Sequence, residues 1–184
     1  MFRSELYRSI ALLDAASTNS AKVWSSATNP DADLRAAVRA AADVHGQYPT
    51  TVLFGETAWG LRQDAYEAQN TPAAGVKAGY TAQALAAHLM VDRVLMNKAR
   101  YASTASARTE MVGSKVYLYL AELGLGPEDP SNIKRFVSAV QGGGTRRVYR
   151  QELDSKRVRI SVEHYSTTKI TSTLGILKRT ITAS

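Results

Sequence analysis

The chain has 184 residues and a formal net charge of +7, and its 45% hydrophobic fraction is ordinary for one globular domain or two small ones. It contains no cysteine, which excludes disulfides, thiolate metal sites and cysteine nucleophiles. No apolar run approaches the roughly 18 residues that a membrane-spanning helix needs, and the basic balance favours polyanionic partners.

The first thirty residues are predicted to form one helix and one loop. Apolar residues recur at helical spacing from residue 2 to about residue 15, which indicates an amphipathic helix. Residues 16–30 are small and polar, and we interpret them as a loop anchored by Trp24. The apolar side of the helix consists of Leu6, Ile10 and Leu13.

A helix, a buried strand and a second helix are predicted next. Asp31 or Asp33 can cap the first helix, since an aspartate side chain accepts hydrogen bonds from the N–H groups of a first turn. Gly46 favours the end of that helix. Residues 51–54 are a short apolar run typical of a buried strand, and residues 56–66 are predicted to form the second helix.

The middle of the chain alternates predicted loops with short regular elements. Residues 67–80 hold a proline and glycines and are predicted to be a mobile loop. Thr81 caps the following helix, and a strand is predicted over 93–99. Residues 102–114 are interpreted as a loop before an alternating strand over 115–120. The side chains predicted to face inward from these two strands are Val94 and Met96, and Val116, Leu118 and Leu120.

The C-terminal third is predicted to be irregular at first and then rich in strands. Residues 124–137 favour turns, and residues 141–147 are predicted to form a flexible loop or a hairpin tip. Strands over 147–153 and 157–165 are expected to pair, and the rest of the chain to form one or two strands broken near Gly175. In the second paired strand, Val158, Ile160, Val162 and His164 are predicted to share one face, and Arg157, Arg159, Ser161 and Glu163 the other.

Motifs that would carry chemistry are weak. The Q-G-G-G-T-R-R segment at 141–147 differs from a phosphate-binding P-loop because no lysine precedes Thr145. His45, His88 and His164 lack the spacing of metal ligands, and His164 is interpreted as a core position on an apolar strand face. No G-x-S-x-G nucleophile motif occurs. We therefore predict no catalytic, cofactor or metal site, and expect that the chain is not an enzyme.

The basic strand face at Arg157 and Arg159 is the one patch with a functional interpretation from the residues alone. It could contact DNA phosphates, or acidic residues on a neighbouring subunit. Both alternatives remain open at the level of sequence.

Six stretches of sequence carry a family resemblance. The first runs from Asn29 to Trp59 and reads as a helix, a turn, an apolar strand and a helix that opens with an aromatic residue. The second, at 81–101, has a Thr-initiated helix and a Val-Asp-x-Val step into a strand. The segments K-V-Y-L-Y-L and D-P-S-N-I-K-R-F-V follow, and then V-E-H-Y and T-S-T-L-G-I. Together they resemble the major capsid proteins of tailed phages, which have the Hong Kong 97 type of shell fold.

This resemblance implies an α+β fold with an axial domain over 31–150 and a discontinuous peripheral domain built from 1–30 and 151–184. It implies a structural subunit that assembles with itself into pentamers, hexamers and an icosahedral shell. The shell would enclose double-stranded DNA by non-specific contact, with scaffold and portal proteins as further partners. We expect a virion component that assembles in the cytoplasm of a bacterial host, without a membrane.

The resemblance also implies where functional residues lie. Glycine-rich loops such as 141–144 would sit near capsomer centres or subunit interfaces, and inward-facing cations would offset packaged DNA. The candidate interface or DNA-facing residues are Gly142, Gly143, Gly144, Arg146, Arg147, Arg157 and Arg159.

One departure from the family concerns the N-terminus. Members usually carry an N-terminal arm and an extended loop before a long spine helix, whereas Met1 is expected to fall inside that helix. We therefore expect an N-terminally truncated version of the fold and assign no inter-subunit crosslinking residue. Two alternatives remain: a nanocompartment shell protein of the encapsulin type on the same fold, and a basic nucleic-acid-binding module.

Overall fold

The computed structural model describes residues 2–122, 129–139, 147–154 and 157–183, and it has the predicted α+β composition. The helices are α1 (Phe2–Ala16), α2 (Pro30–His45), α3 (Glu56–Glu67), α4 (Pro72–Ala78) and α5 (Ala82–Leu89). The strands are β1 (Thr18–Trp24), β2 (Thr51–Gly55), β3 (Arg93–Asn97), β4 (Arg100–Ala102), β5 (Arg108–Glu110), β6 (Lys115–Tyr119), β7 (Ile133–Ser138), β8 (Arg147–Asp154), β9 (Arg157–Glu163), β10 (Tyr165–Ile170) and β11 (Leu177–Ala183).

A mixed five-stranded sheet in the order β1-β11-β6-β2-β3 organises the chain. β1 runs parallel to β11, β2 runs parallel to β3, and β6 is antiparallel to both of its neighbours. All five residues of β2 are buried, as expected for a strand covered on both faces. The sheet joins strands from both ends of the chain, and the proposed division at 31–150 stays a prediction.

Helices α2, α3 and α5 cover one face of this sheet. Their apolar sides meet Phe54 and Leu118 in the larger core cluster, where the Trp59 ring packs edge-on against Phe54 at 5.2 Å between ring centroids. Such a contact adds roughly 0.5–1.5 kcal/mol beyond area burial. Val94 and Met96 both pack in this cluster, so the predicted inward side of β3 is confirmed.

Helix α1 covers the opposite face and forms a second core with Tyr117 and Tyr119. Ile10 and Leu13, predicted for the apolar side of this helix, are buried there, whereas Leu6 is 39% exposed. The predicted inward side of β6 is buried, and so is the other side. A strand in the middle of a sheet covered by helices on both faces has both of its sides buried. The alternating pattern therefore predicted the burial of one side of β6 and not that of the other.

The predicted loop over 16–30 is wrong across β1. Only Trp24 of β1 is buried, and its partner strand begins at Leu177, far along the sequence. The strand therefore depends on a long-range partner, and its small polar residues gave no apolar period that could reveal it. The expected anchor role of Trp24 is confirmed, since its side chain is 3% exposed.

The predicted loop over 67–80 also contains a regular element, α4. Thr71 caps this helix by accepting a hydrogen bond from the backbone N–H of Ala74, and Pro72 occupies its first turn. Ala74 and Ala78 are buried against Tyr66 of α3. Proline was interpreted as a loop signal here, although it is equally compatible with the start of a helix.

The cap of α2 differs from the prediction, while its end agrees. Asn29, not Asp31 or Asp33, accepts a hydrogen bond from the N–H of Ala32 at 3.1 Å. Gly46 ends the helix with a left-handed φ of 81°. The predicted cap on α5 is confirmed, because Thr81 accepts from the N–H of Ala84.

Two further stretches predicted as irregular contain strands. The segment 102–114 includes β5, which pairs with β4, and the segment 124–137 includes all but the last residue of β7, which pairs with β10. In the described part of both segments, apolar residues do not alternate as in a half-buried strand. These strands are therefore defined by hydrogen bonding to their partner strands and could not be predicted from the sequence pattern. The break between the last strands is confirmed at Gly175, where φ is +69°.

A two-part antiparallel extension lies between β6 and β11 in sequence. Its base is the β7/β10 pair, with Ser138 opposite Tyr165 and Ile133 opposite Ile170. Its outer part is the β8/β9 pair, so the predicted pairing of these strands is confirmed. β9 ends at Glu163 rather than at Tyr165, because Tyr165 starts β10.

Candidate assembly surface and buried charge clusters

The β8/β9 hairpin separates basic and apolar side chains onto opposite faces. Val148 lies opposite Val162, and Arg150 lies opposite Ile160. Directly opposed residues of an antiparallel pair project to the same face. The predicted shared face of Val158, Ile160 and Val162 is therefore confirmed, with Val148, Arg150 and Glu152 added from β8.

The basic face brings together three of the predicted residues, Arg147, Arg157 and Arg159. The Arg147 guanidinium lies over the Tyr149 ring at 4.5 Å, and the Tyr149 hydroxyl donates to Glu163 at 2.8 Å. This hydrogen bond to a carboxylate raises the pKa of Tyr149. The other predicted residues, Gly142, Gly143, Gly144 and Arg146, lie outside the described residues.

The apolar face of the hairpin is exposed. Val148 is 65% exposed and Ile160 is 68% exposed. The face is therefore not part of the core, which corrects the expectation of a core position there. Scattered exposed apolar residues are ordinary, but a contiguous set marks an interaction surface.

His164 lies between β9 and β10 and belongs to a polar cluster, not to an apolar core. Its Nε2 is 2.9 Å from Nη2 of Arg135. The same Arg135 atom donates to the Ser166 hydroxyl at 3.1 Å and lies 3.5 Å from a Glu5 carboxylate oxygen. These contacts attach α1 to the base of the extension.

A fully buried arginine, which the sequence interpretation missed, joins four helices. Nε and Nη2 of Arg62 donate to the two carboxylate oxygens of Asp31 at 2.8 and 3.0 Å, and Nη2 also donates to the Lys77 carbonyl at 2.9 Å. Both charged side chains are 0% exposed. His88 of α5 approaches the same carboxylate, with 3.9 Å between Nε2 and Oδ2.

Aromatic rings surround this arginine. The guanidinium carbon is 5.6 Å from the Trp59 ring, 5.2 Å from the Tyr66 ring and 5.7 Å from the Tyr80 ring. Burial raises the pKa of Tyr66 to about 12, so its hydroxyl stays protonated and donates to Asn29 at 2.8 Å. The available signal was the spacing of Trp59, Arg62 and Tyr66, which puts all three on one side of α3.

A second charged cluster fixes α1 to the sheet. One carboxylate oxygen of Asp14 accepts from the Tyr117 hydroxyl at 2.6 Å, from Lys115 at 2.9 Å and from Lys178 at 3.0 Å. Burial by itself would raise the pKa of Asp14, but these three donors outweigh it and lower the pKa to about 2. Burial and the Asp14 carboxylate both raise the pKa of Tyr117.

The described surface includes two open depressions. One, of about 420 Å³, lies over the β7/β10 pair and includes Phe136 and Tyr165. The other, of about 360 Å³, lies between α1 and the β5–β6 segment, where Asp14 and Glu110 are exposed in part. Both carboxylates have hydrogen-bond partners within the chain. The partners of Asp14 are given above, and Glu110 accepts hydrogen bonds from Thr57 and Arg100. Within the described residues, no three His, Cys, Asp or Glu side chains are grouped to hold a metal.

No described helix is both long enough and apolar enough to cross a bilayer.

No protein-family model and no curated protein sequence matches the chain. Similarity is found among solved structures. A phage-related protein from Bordetella bronchiseptica RB50 has a TM-score of 0.70 and 20% sequence identity, over 95% of this chain and 59% of that protein.

A second solved structure is a protein of an Escherichia coli CFT073 prophage, assigned provisionally as a capsid protein. It has a TM-score of 0.46 and 10% identity, over 85% of this chain and 48% of that protein. This similarity is too low to show a shared fold. The chain thus has the fold of the phage-related protein and spans 59% of its length.

Proposed function

We propose that the chain is a structural subunit of a phage or prophage shell with the Hong Kong 97 type of fold. The observation that carries this proposal is the similarity to a phage-related protein, with a TM-score of 0.70 over 95% of the chain. The motif order that resembles tailed-phage major capsid proteins supports the same family. The role is architectural, so we propose no catalytic step.

The proposed mechanism is geometric. Copies of the chain pack as pentamers and hexamers, and repeated interfaces close an icosahedral shell around double-stranded DNA. A hairpin with an apolar face and a basic face suits this role, because one face can contact protein while the other lies near phosphates. Scaffold and portal proteins are the further partners we propose, with assembly in the cytoplasm of a bacterial host.

Sedimentation velocity of the purified chain, with negative-stain images of the same sample, tests the proposal. We expect species of five or six copies, or closed shells, that grow with protein concentration. A monomer of about 20 kDa at every concentration would contradict the proposal for this chain.

The basic hairpin face favours a second candidate, a nucleic-acid-binding module. Here the unassembled chain would bind DNA tightly, and each lost phosphate contact would lower the salt slope of log K by about 0.9. Arg157→Gln with Arg159→Gln tests this, with Arg35→Gln and Arg39→Gln on the exposed side of α2 as the matched control. Equal slopes for the two variants would exclude the hairpin as the binding site.

A further inference from the structure

The β8/β9 hairpin exposes an apolar stripe that the described part of the chain leaves uncovered. A hairpin of two strands is marginally stable alone in water, so it gains from packing its apolar face. Four β-branched side chains on one face form the hairpin stripe, and they are Val148 (65% exposed), Val158 (47%), Ile160 (68%) and Val162 (58%).

The residues around the hairpin stripe carry a net positive charge. Residues 147–163 carry five arginines and lysines against three carboxylates. On the stripe face itself Arg150 and Glu152 are 3.3 Å apart and both largely exposed, so they neutralise each other. Because a two-stranded hairpin is narrow, cations on its other face also border any partner. A complementary surface is therefore apolar with an excess of carboxylates.

The same chain presents such a surface at the end of the main sheet where β2 begins. Thr50 joins three segments there: its carbonyl accepts from the N–H of Arg93 at 3.1 Å, and its hydroxyl donates to the Ala121 carbonyl at 2.9 Å. Four exposed side chains lie within three residues of these contacts along the chain, and we call them the Tyr48 surface: Tyr48 (61% exposed), Met90 (85% exposed), Asp92 and Glu122.

The charge of the Tyr48 surface is negative. Neither Asp92 nor Glu122 takes part in an ion pair with a described residue. The nearby Arg93 guanidinium is turned towards the sheet, where it donates to the Thr51 hydroxyl and the Ala121 carbonyl, both at 2.8 Å. Lys134 pairs with Asp129, so this pair adds no net charge.

We propose that the hairpin stripe of one copy docks on the Tyr48 surface of a second copy. Exposed apolar groups would be buried on both sides, and hairpin cations would meet Asp92 and Glu122 at the rim. The hairpin reaches about 25 Å along β9 from its base at Tyr165, which is enough to bridge to a neighbour. The inference deepens the proposed function, on which it rests, by naming the two faces of one subunit contact.

The contact is head-to-tail, since the two surfaces differ. Heterologous contacts of this kind make rings when the rotation between copies closes and open chains when it does not. Each copy uses one stripe and one Tyr48 surface, so a copy that loses either can still occupy one end of a contact. This asymmetry gives a sharp test.

The test uses two variants of the full chain. The stripe variant carries Val158→Thr, Ile160→Thr and Val162→Thr, which keeps β-branched residues in the strand. The surface variant carries Tyr48→Ser, Asp92→Asn and Glu122→Gln. Val76→Thr, on an exposed α4 position, is the matched control, and far-UV circular dichroism with thermal unfolding checks that each variant folds.

Sedimentation velocity gives the main result. Each variant alone should self-associate at least about tenfold more weakly than the unchanged chain, while Val76→Thr should not differ. An equal mixture of the two variants should form a dimer of about 40 kDa and stop there, since each copy retains one complementary face. A mixture that stays monomeric, or variants that assemble as the unchanged chain does, would overturn the proposal.

Crosslinking gives an independent measurement, because the chain has no cysteine of its own. Ile160→Cys mixed with Tyr48→Cys should form a dimer with a short bis-maleimide, whereas Ile160→Cys mixed with Val76→Cys should not. Dimers from Ile160→Cys alone would indicate a symmetric hairpin contact and would overturn the head-to-tail proposal.

Failure of this inference and failure of the proposed function are distinguishable. Closed shells that persist in both variants would leave the function standing and overturn the contact. Open chains that both variants abolish, without rings or shells in the unchanged protein, would support the contact and contradict the function. A chain that remains monomeric throughout would overturn both.

Discussion

Arg62 shows how much of this fold depends on one buried charge. Its side chain is fully buried, and its bond pair to Asp31 joins the start of α2 to α3. Taking both charges out of water costs several kcal/mol, which their attraction and the added hydrogen bonds offset in part. The pair thus allows two charged side chains to be buried between these helices, but it adds little net free energy of unfolding.

Removing one partner of this pair should be more harmful than removing both. Arg62→Met leaves the Asp31 carboxylate buried without its arginine partner, and should lower the free energy of unfolding by roughly 3–5 kcal/mol. Asp31→Asn with Arg62→Met should cost less than the sum of the two single changes. Urea denaturation at neutral pH measures the cycle, and additive single losses would show that the pair is not coupled.

Asp14 is a residue whose charge state should matter at low pH. Its pKa is about 2 in the folded chain against an ordinary value of 3.8. A lowered carboxylate pKa stabilises the fold above the ordinary value, and this stabilisation is lost as the pH falls through the folded value. The relevant window therefore runs from about pH 4 down to pH 2.

Asp14→Asn should remove this dependence. The side chain is 37% exposed, so after allowance for solvent screening we expect a loss of about 1 kcal/mol in the free energy of unfolding at pH 7. The difference between the two proteins should shrink between pH 4 and pH 2, as measured by chemical denaturation at each pH. A difference that stays constant down to pH 2 would assign the loss to packing instead of charge.

At the level of elements, the turn from β2 into α3 has no room for a side chain. A Cβ on Gly55 would lie 2.0 Å from the carbonyl oxygen of Gly113. That same oxygen accepts from the N–H of Ala58 at 3.2 Å, in the first turn of α3. The close backbone approach lets the segment before β6 serve as a partner for the start of the helix.

Two glycine substitutions only a few residues apart should therefore have opposite effects. Gly55→Ala forces backbone apart and should lower the free energy of unfolding by about 2 kcal/mol or more. Gly60→Ala lies inside α3 with open space around the new methyl group, and should raise it by about 0.5–1 kcal/mol. Thermal unfolding compares them, and a loss at Gly60→Ala equal to that at Gly55→Ala would contradict the steric argument.

The predictable elements are those with a clear signal in their own sequence. α2 and α5 have an apolar side and an end signal, and β2 is a short apolar run. β1 and β7 have neither, because their hydrogen-bond partners rather than their side chains define them. The local sequence pattern thus predicted the main helices and strands of the core, but it did not predict β1 and β7.

The candidate site divides in the same way. The shared face of Arg157 and Arg159 follows from strand alternation, and the paired strands confirm that geometry. The Arg62 cluster required knowledge that α2, α3, α4 and α5 meet at one point, which no local spacing contains. Its charged residues also resemble ordinary solvated positions on a helix when they are considered singly.

At the scale of the whole molecule, two parts differ in how they are stabilised. The five-stranded sheet is covered by helices on both faces and holds both large core clusters. Within the described residues, the β8/β9 hairpin is held by the pairing of its two strands and exposes apolar residues on one face. The sheet is thus stabilised by buried apolar contacts, and the hairpin by the hydrogen bonds between its two strands.

The position of β11 between β1 and β6 also has a consequence during synthesis on the ribosome. β1 joins the sheet only through β11, and paired residues such as Thr18 and Leu177 are about 160 positions apart. At about 5–20 residues per second, the ribosome needs roughly 8–30 s to supply that partner. Until then the emerging β1 has no native strand to pair with, so this edge of the sheet is completed only after the other strands of the sheet have been synthesised.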